Sequence, residues 1–335
     1  MRKTLCCAAV AACAFTAAPV ARAQGLFVSG YAGEEVMWSN EVKGASTHSN
    51  TFDAHHFNLI MLGQLRGDVF AAAEIEIESG GEEIGLEYGY LAFTRWPHAN
   101  IIAGKFLVPF GRFNQDLHPD WVNKIPGRPL PNDAVFPVDY GDVGVMVRGA
   151  LAAGTSGRVT YDVWGVNGLA GPPGESIRDL RDNRVDVDNN IAVGTRLGFV
   201  TNLGLDVGGS VYYGKYNDSL DLNLRIVGLD ARYGGGPLEL RGEWMQATQG
   251  NPGGNLNKSG FYLQGSYAVL PAVEVTARYS QVDFPGAVED MARYSVGVSL
   301  YPSDAAAFRL AYTVNRGLNG GVPVSSIIAQ FTVGF

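Results

Sequence analysis

The chain has 335 residues, with 25 Lys and Arg against 33 Asp and Glu, a formal net charge of −8. That acidic balance lacks the basic face a nucleic-acid partner requires, so none is expected. All three cysteines, Cys6, Cys7 and Cys13, lie near the start, which leaves the rest without a disulfide framework.

Arg2 and Lys3 precede a small apolar run from Thr4 to Val20, and Ala21-Arg22-Ala23 supplies an A-x-A site. These are the three parts of a secretory signal peptide, so 1–23 is expected to be cleaved and 24–335 to be the mature domain. A lipoprotein-type site at Val10-Ala11-Ala12-Cys13 is the competing reading, with a much shorter apolar region before it. Beyond residue 23 no run of about 18 apolar residues offers a spanning helix. Yet 46% of the chain is hydrophobic, and it carries 44 Gly, 15 Tyr and 16 Phe. The apolar residues are spread as alternation.

Strands are expected at 26–39, 52–65, 67–78, 83–95, 99–107, 140–152, 158–167, 190–201, 203–216, 222–233, 237–248, 259–270, 272–283, 291–301, 306–316 and 324–335. In 68–78 one face carries Val69, Ala71, Ala73, Ile75 and Ile77 and the other Asp68, Phe70, Ala72, Glu74, Glu76 and Glu78. Successive strand residues point to opposite sides, so this strand has one apolar and one ionic face. The same holds for Val273, Val275 and Tyr279 against Glu274, Thr276 and Arg278, and for Phe308, Leu310 and Tyr312 against Arg309 and Thr313. A soluble β-sandwich also alternates. These strands are long for a sandwich, and their polar face is charged in its middle, as a wet lumen requires.

The gaps between strands sort by parity. Those after even-numbered strands are short, such as Arg66-Gly67, Pro97-His98 and Gly234-Gly235-Gly236. Those after odd-numbered strands are mostly long and polar, at 40–51, 108–139, 168–189, 249–258, 284–290 and 317–323; Ser79-Gly80-Gly81-Glu82 is the short exception. Short turns on one rim and long loops on the other describe an outer-membrane barrel. The expected fold is all-β, a transmembrane antiparallel β-barrel of about sixteen strands.

Gln330-Phe331-Thr332-Val333-Gly334-Phe335 ends the chain on an aromatic, and Gly104-Lys105-Phe106-Leu107-Val108-Pro109-Phe110-Gly111 precedes the longest gap. The first resembles the terminal strand signature of outer-membrane barrels, the second a motif of porins related to the phosphate-selective (O/P-type) group. The chain thus resembles a Gram-negative outer-membrane porin over 24–335. The resemblance implies passive diffusion of small hydrophilic solutes and ions and a place in outer-membrane lipid. It also implies recognition by the barrel-assembly machinery through Phe331, Val333 and Phe335, and a homotrimer. It leaves an anion or phosphate preference open. In porins the third long loop folds inward and narrows the channel, a role that here falls to 108–139. Its prolines stiffen the backbone, Phe110, Phe113, Trp121 and Phe136 suit anchoring, and Arg112, Asp116, His118, Asp120, Lys124, Arg128 and Asp133 supply mixed charge. A solvent-facing lid is the plainer role for such a loop.

Expected pore-wall charges are Glu74, Glu76, Glu78 and Glu87 on one side and Arg148, Arg196, Arg225, Arg241, Arg278, Arg293 and Arg309 on the other. Together they would place a transverse field across the pore; lateral pairing, as of Arg241 with Glu239, Glu243 or Glu274, is the competing use. Two irregularities call for bulges: one at Gly33, because adjacent Glu34 and Glu35 cannot both face water, and one near Gly228, where 222–233 changes face.

Enzyme chemistry finds no support. His55 and His56 are adjacent on a strand and so face opposite ways, and His118 lies in a proline-rich loop beside Asp116 and Asp120. No catalytic residue, metal site or cofactor is expected. A barrel enzyme of lipase or protease type and an adhesin or structural barrel are the alternatives.

Overall fold

The computed structural model describes residues 25–40, 49–53, 56–78, 81, 83–117, 119–181, 190–286, 288–318 and 322–335. The expected signal peptide 1–23, His48, His55, His118 and parts of the loops 40–51, 79–82, 168–189, 284–290 and 317–323 lie outside the described residues.

The strands are β1 (Gly25–Ser39), β2 (Ser49–Asp53), β3 (Phe57–Arg66), β4 (Val69–Glu78), β5 (Glu83–Trp96), β6 (Ala99–Leu107), β7 (Gly141–Ala153), β8 (Gly157–Val166), β9 (Ala192–Thr201), β10 (Leu205–Asn217), β11 (Leu222–Gly235), β12 (Leu238–Gln249), β13 (Leu256–Leu270), β14 (Val273–Asp283), β15 (Met291–Ser303), β16 (Ala306–Gly317) and β17 (Val324–Gly334). Each pairs antiparallel with its neighbour, and β17 returns to β1 in a register running from Tyr31↔Gly334 to Ser39↔Ser326. The ring is closed, the form in which a sheet can span lipid. β2 and β3 both pair with β1, on its two halves, and form one interrupted crossing. The barrel therefore has sixteen crossing strands.

The bulge expected at Gly33 does not form within β1, whose alternation continues through that residue. β1 pairs Ala32 with Phe57 and Glu35 with Asp53, and Gly33 N donates to His56 O at 2.9 Å. β1 itself runs on against β17 without a shift. Glu35 consequently turns inward, where Gln330 Nε2 donates to it at 3.3 Å. Glu34 stays exposed on the outer face, in register with Phe331.

The outer face is apolar: Leu263, Val296 and Leu310 are 61%, 55% and 56% exposed, although each is a residue that a water-soluble fold would bury. Rings meet at a tilt along it, as in Phe308–Phe331 with centroids 4.6 Å apart and Tyr279–Tyr294 at 4.9 Å. The inner face carries Ser280, Thr332, Gln249 and Arg309, all buried. This inside-out pattern follows from the alternation, with lipid on one side and polar groups on the other.

The bulge expected near Gly228 is absent. β11 pairs with β12 without a shift from Leu224↔Gln249 to Gly235↔Leu238. Leu224, Ile226, Gly228 and Asp230 all face inward, and Leu229 and Tyr233 outward. Leu224 and Ile226 face inward because the lumen here is filled by an apolar core. Val108, Phe110, Phe136 and Tyr140 of the long loop pack with Leu169, Ile177 and Leu180 of the following loop against this part of the wall. Arg225 is accordingly corrected: it lies exposed on the outer side, opposite Thr248, and is not a wall charge of the lumen.

Candidate functional site

The loop 108–139 lies within the barrel and touches its inner wall at many points. Two glycines of the segment 104–111 permit its entry. Gly104 has φ +131°, and a Cβ there would stand 2.4 Å from the Gly89 carbonyl oxygen and 2.8 Å from the Tyr90 Cα. Gly111 has φ +62°, a left-handed conformation that side chains disfavour. A Cβ on it would meet Glu243 Oε2 at 2.4 Å.

The loop root is fixed by polar contacts from the wall. Gly111 N donates to Ser210 Oγ at 3.0 Å. Glu243 Oε1 accepts the backbone N–H groups of Arg112 at 2.8 Å and of Phe113 at 2.7 Å. A helical turn, Phe113–Asp116, follows. Phe110 and Phe136 stack at 4.3 Å between ring centroids, and Phe113 meets Tyr262 edge-on at 6.1 Å. Phe113 and Phe136 are essentially inaccessible, Phe110 is buried, and Trp121 is half-buried.

Further along, the loop's carbonyls take donors from β14–β16. Arg278 donates to Gly127 O at 2.8 Å, Arg293 to Arg128 O at 2.7 Å, Arg309 to Trp121 O at 2.8 Å and Ser299 to Lys124 O at 2.9 Å. Lys124 Nζ reaches Glu274 at 2.6 Å and Glu239 at 3.6 Å. Arg128 pairs with Asp139 at 2.5 Å and Asp133 with Arg178 at 2.7 Å. Burial alone would lower the pKa of Arg128; Asp139, Asp133, Asp120 and Glu78 overcome that and raise it, so the guanidinium stays charged.

The opposite wall is acidic. Glu74, Glu76 and Glu78 face inward from β4, and Glu87 sits at a bulge of β5, between Glu74↔Tyr88 and Ile75↔Leu86. His56 Nδ1 lies 2.8 Å from Glu76 and 3.2 Å from Glu78, and its Nε2 lies 3.7 Å from Asp120 of the loop. His56, Glu76 and Glu78 offer ligand atoms within 4.8 Å of one another, a cluster able to hold a cation. Sequence reasoning set His56 aside because it judged the histidine against its neighbour His55. The relevant partners come from the next strand and from the loop, which no sequence spacing displays.

The arginines divide by environment. Arg196 is buried against Asp230 at 2.5 Å. Arg241 pairs with Glu239. Arg278 and Arg309 are buried beneath the loop. Arg148 is more open: its side chain is 36% exposed and donates from Nε to Asp162 at 2.8 Å and from NH2 to Gln115 at 2.9 Å. Beside it Tyr88, Tyr90, Gln115 and Asp116 line a recess of about 260 Å³. Arg112, 31% exposed, sits between Asp116 and Asp206. Arg232, which was not among the expected wall charges, pairs with Glu239 at 2.7 Å and is 51% exposed.

A long loop held inside a closed barrel by its own backbone invites comparison with known channels. The family model described as Gram-negative porin matches residues 8–319. The chain belongs to the Gram-negative porin family. Solved structures agree on the fold. An anion-selective porin from Comamonas acidovorans is 14% identical, with 93% of this chain and 99% of that one covered at a TM-score of 0.64. A loop-L8 deletion mutant of OmpT, an outer membrane protein of Vibrio cholerae, is 12% identical over the same shares, also at 0.64. Salmonella typhi OmpF in complex with daunomycin is 11% identical, covering 92% and 97%, again at 0.64. An uncharacterized protein of Aquifex aeolicus (strain VF5) is 26% identical over 232 residues, 59% of this chain; the chain spans about half, 52%, of that relative's length. As a porin, the barrel resides in the outer membrane and forms a channel across it.

Proposed function

We propose that this porin passes small hydrophilic solutes and ions by passive diffusion, that the loop 108–139 sets the width of its path, and that it performs no catalysis. The observation that carries the reading is the seating of the loop backbone on the inner wall through the donors from Arg278, Arg293, Arg309 and Ser299. A loop so held leaves the open path between its free face and the wall of β3–β8. Charges of both signs meet there, Glu78, Asp116 and Asp120 against Arg148 and Arg128, while Arg112 lies toward Asp206 of β10. Mixed charge at a narrow point sets field and size together.

A modest anion preference is part of this reading, supported by the likeness to the anion-selective porin from Comamonas acidovorans. Export through a cleaved segment 1–23, insertion guided by Phe331, Val333 and Phe335, and assembly as a homotrimer complete it. The terminal strand suits that guiding role because its end is firmly seated. Phe335 N donates to Gly30 O at 3.0 Å, Gly30 N to Phe335 O at 3.1 Å, and the Phe335 ring stacks on Phe57 at 5.6 Å. A trimer form of OmpT from Vibrio cholerae is similar in structure to this chain.

Liposome swelling with sugars of increasing size tests the proposal. Uptake of small sugars with a sharp loss as size rises is expected. Liposomes that exclude every solute while containing folded barrel would refute it.

A further inference from the structure

Arg278, Arg293 and Arg309 stand on the neighbouring strands β14, β15 and β16 and face inward. Arg278 and Arg309 are only 4% and 3% exposed. A cation buried so far ordinarily sits against a carboxylate. Among the described residues, none of the three has a carboxylate within 4.0 Å. They donate instead to uncharged acceptors. Arg278 NH2 reaches Gly127 O at 2.8 Å and Pro126 O at 3.3 Å. Arg293 NH1 reaches Arg128 O at 2.7 Å, while its Nε bonds Asn315. Arg309 NH2 reaches Trp121 O at 2.8 Å, while its NH1 is shared by Gln330 and Thr332.

The segment 121–128 contains no helix or strand, so its carbonyls find no partners in a regular backbone ladder. A guanidinium is permanently charged and presents several donors in a fixed plane, which suits it to hold such carbonyls. Because the contacts are to backbone, they depend little on which side chains the segment carries.

We infer that Arg278, Arg293 and Arg309 are positioning residues that clamp the backbone of 121–128 and hold the channel at one width. The field met by a passing ion is set by the more exposed Arg112, Asp116, Arg148 and Glu78. The inference rests on the proposal that the loop narrows the path. It assigns the arginine ladder a mechanical role and separates it from selectivity.

The test compares Arg278→Gln, Arg309→Gln and Arg148→Gln in single-channel recordings of the full chain, each first checked for the folded barrel by heat-modifiable migration. In Arg278→Gln and Arg309→Gln, brief closures should become about tenfold or more frequent, the factor that one lost charge-assisted hydrogen bond corresponds to. Their reversal potential under a KCl gradient should move less than that of Arg148→Gln. Arg278→Lys, which keeps a charged donor, should be intermediate. A cross-link restores the quiet state if the clamp is the cause. Residues 24–335 contain no cysteine, and a Cβ on Gly297 would lie 3.3 Å from side-chain carbons of Ile125. Ile125→Cys with Gly297→Cys in the Arg278→Gln background should therefore be quiet when oxidised and noisy when reduced.

Quiet Arg278→Gln and Arg309→Gln channels would overturn the clamp, as would a reversal-potential shift equal to that of Arg148→Gln. Should one variant fail to fold, the other decides. Val122, exposed on the loop, separates this from the underlying proposal. If a bulky thiol reagent on Val122→Cys leaves conductance unchanged, the narrowing role fails. If it lowers conductance while Arg278→Gln stays quiet, only the clamp fails.

Discussion

Phe113 and Glu243 are 130 residues apart in the chain and joined by a 2.7 Å hydrogen bond from the Phe113 backbone N–H to Glu243 Oε1. The same oxygen takes the N–H of Arg112 at 2.8 Å, so one wall carboxylate satisfies two donors at the turn where the loop enters the lumen. A buried N–H left without an acceptor costs about 1–3 kcal/mol.

Glu243→Ala orphans both donors and should lower the denaturant midpoint of the folded barrel while raising its conductance. Glu243→Gln keeps a side-chain oxygen and should lose much less. Equal midpoints for wild type and the alanine variant would show that the loop root is held by its apolar contacts alone.

The two glycines of 104–111 should not tolerate a side chain. Gly104→Ala places a methyl 2.4 Å from the Gly89 carbonyl oxygen, and Gly111→Ala places one at that distance from Glu243 Oε2. Both also force a positive φ on a residue that disfavours it. The yield of heat-modifiable barrel should fall for each, more for Gly104→Ala, where the obstacle is backbone. Normal yields with unaltered conductance would argue that the strand and turn adjust freely.

Arg148 and Asp116 border the same recess with opposite charge. Arg148→Gln should move the reversal potential in a KCl gradient toward cation preference, and Asp116→Asn should move it the other way. Raising salt should shrink both shifts, since screening shortens the reach of exposed charge. Shifts of the same sign, or none, would place the selective charges elsewhere.

Glu34 is exposed on the outer face in register with Phe331, where its neighbours are apolar. A charge on a lipid-facing wall is destabilising, for an acid by less than the roughly 2–4 kcal/mol of a midplane cation. Glu34→Val should raise the unfolding midpoint in lipid vesicles. A lower midpoint would mean that the carboxylate has a partner on that surface, as a subunit contact would supply.

The fold was legible because a barrel writes itself as alternation. Each strand must show lipid and lumen opposite faces, so Val273, Val275 and Tyr279 announce one side and Glu274 and Arg278 the other. Turn parity then gave the rim. Leu224 and Ile226 were misread because the lumen beside them holds an apolar core from two loops, and an inward leucine mimics an outward one. The misreading assigned Arg225 to the lumen. Glu34 raised a real conflict that the fold does not relieve, because β1 keeps its alternation against β17 and leaves Glu34 outward. The loop's length, prolines and aromatics were visible, whereas its docking was not, because Arg278, Arg293 and Arg309 bind backbone carbonyls, which every residue has. Likewise His56, Glu76 and Asp120 come together only through pairing and loop placement.

The most direct measurement is single-channel conductance of the full chain before and after removal of 112–131. If the loop narrows the path, the wild-type channel conducts steadily and the shortened one conducts several-fold more with weaker ion discrimination. Equal conductance from the two, with both barrels folded and inserted, would contradict the account.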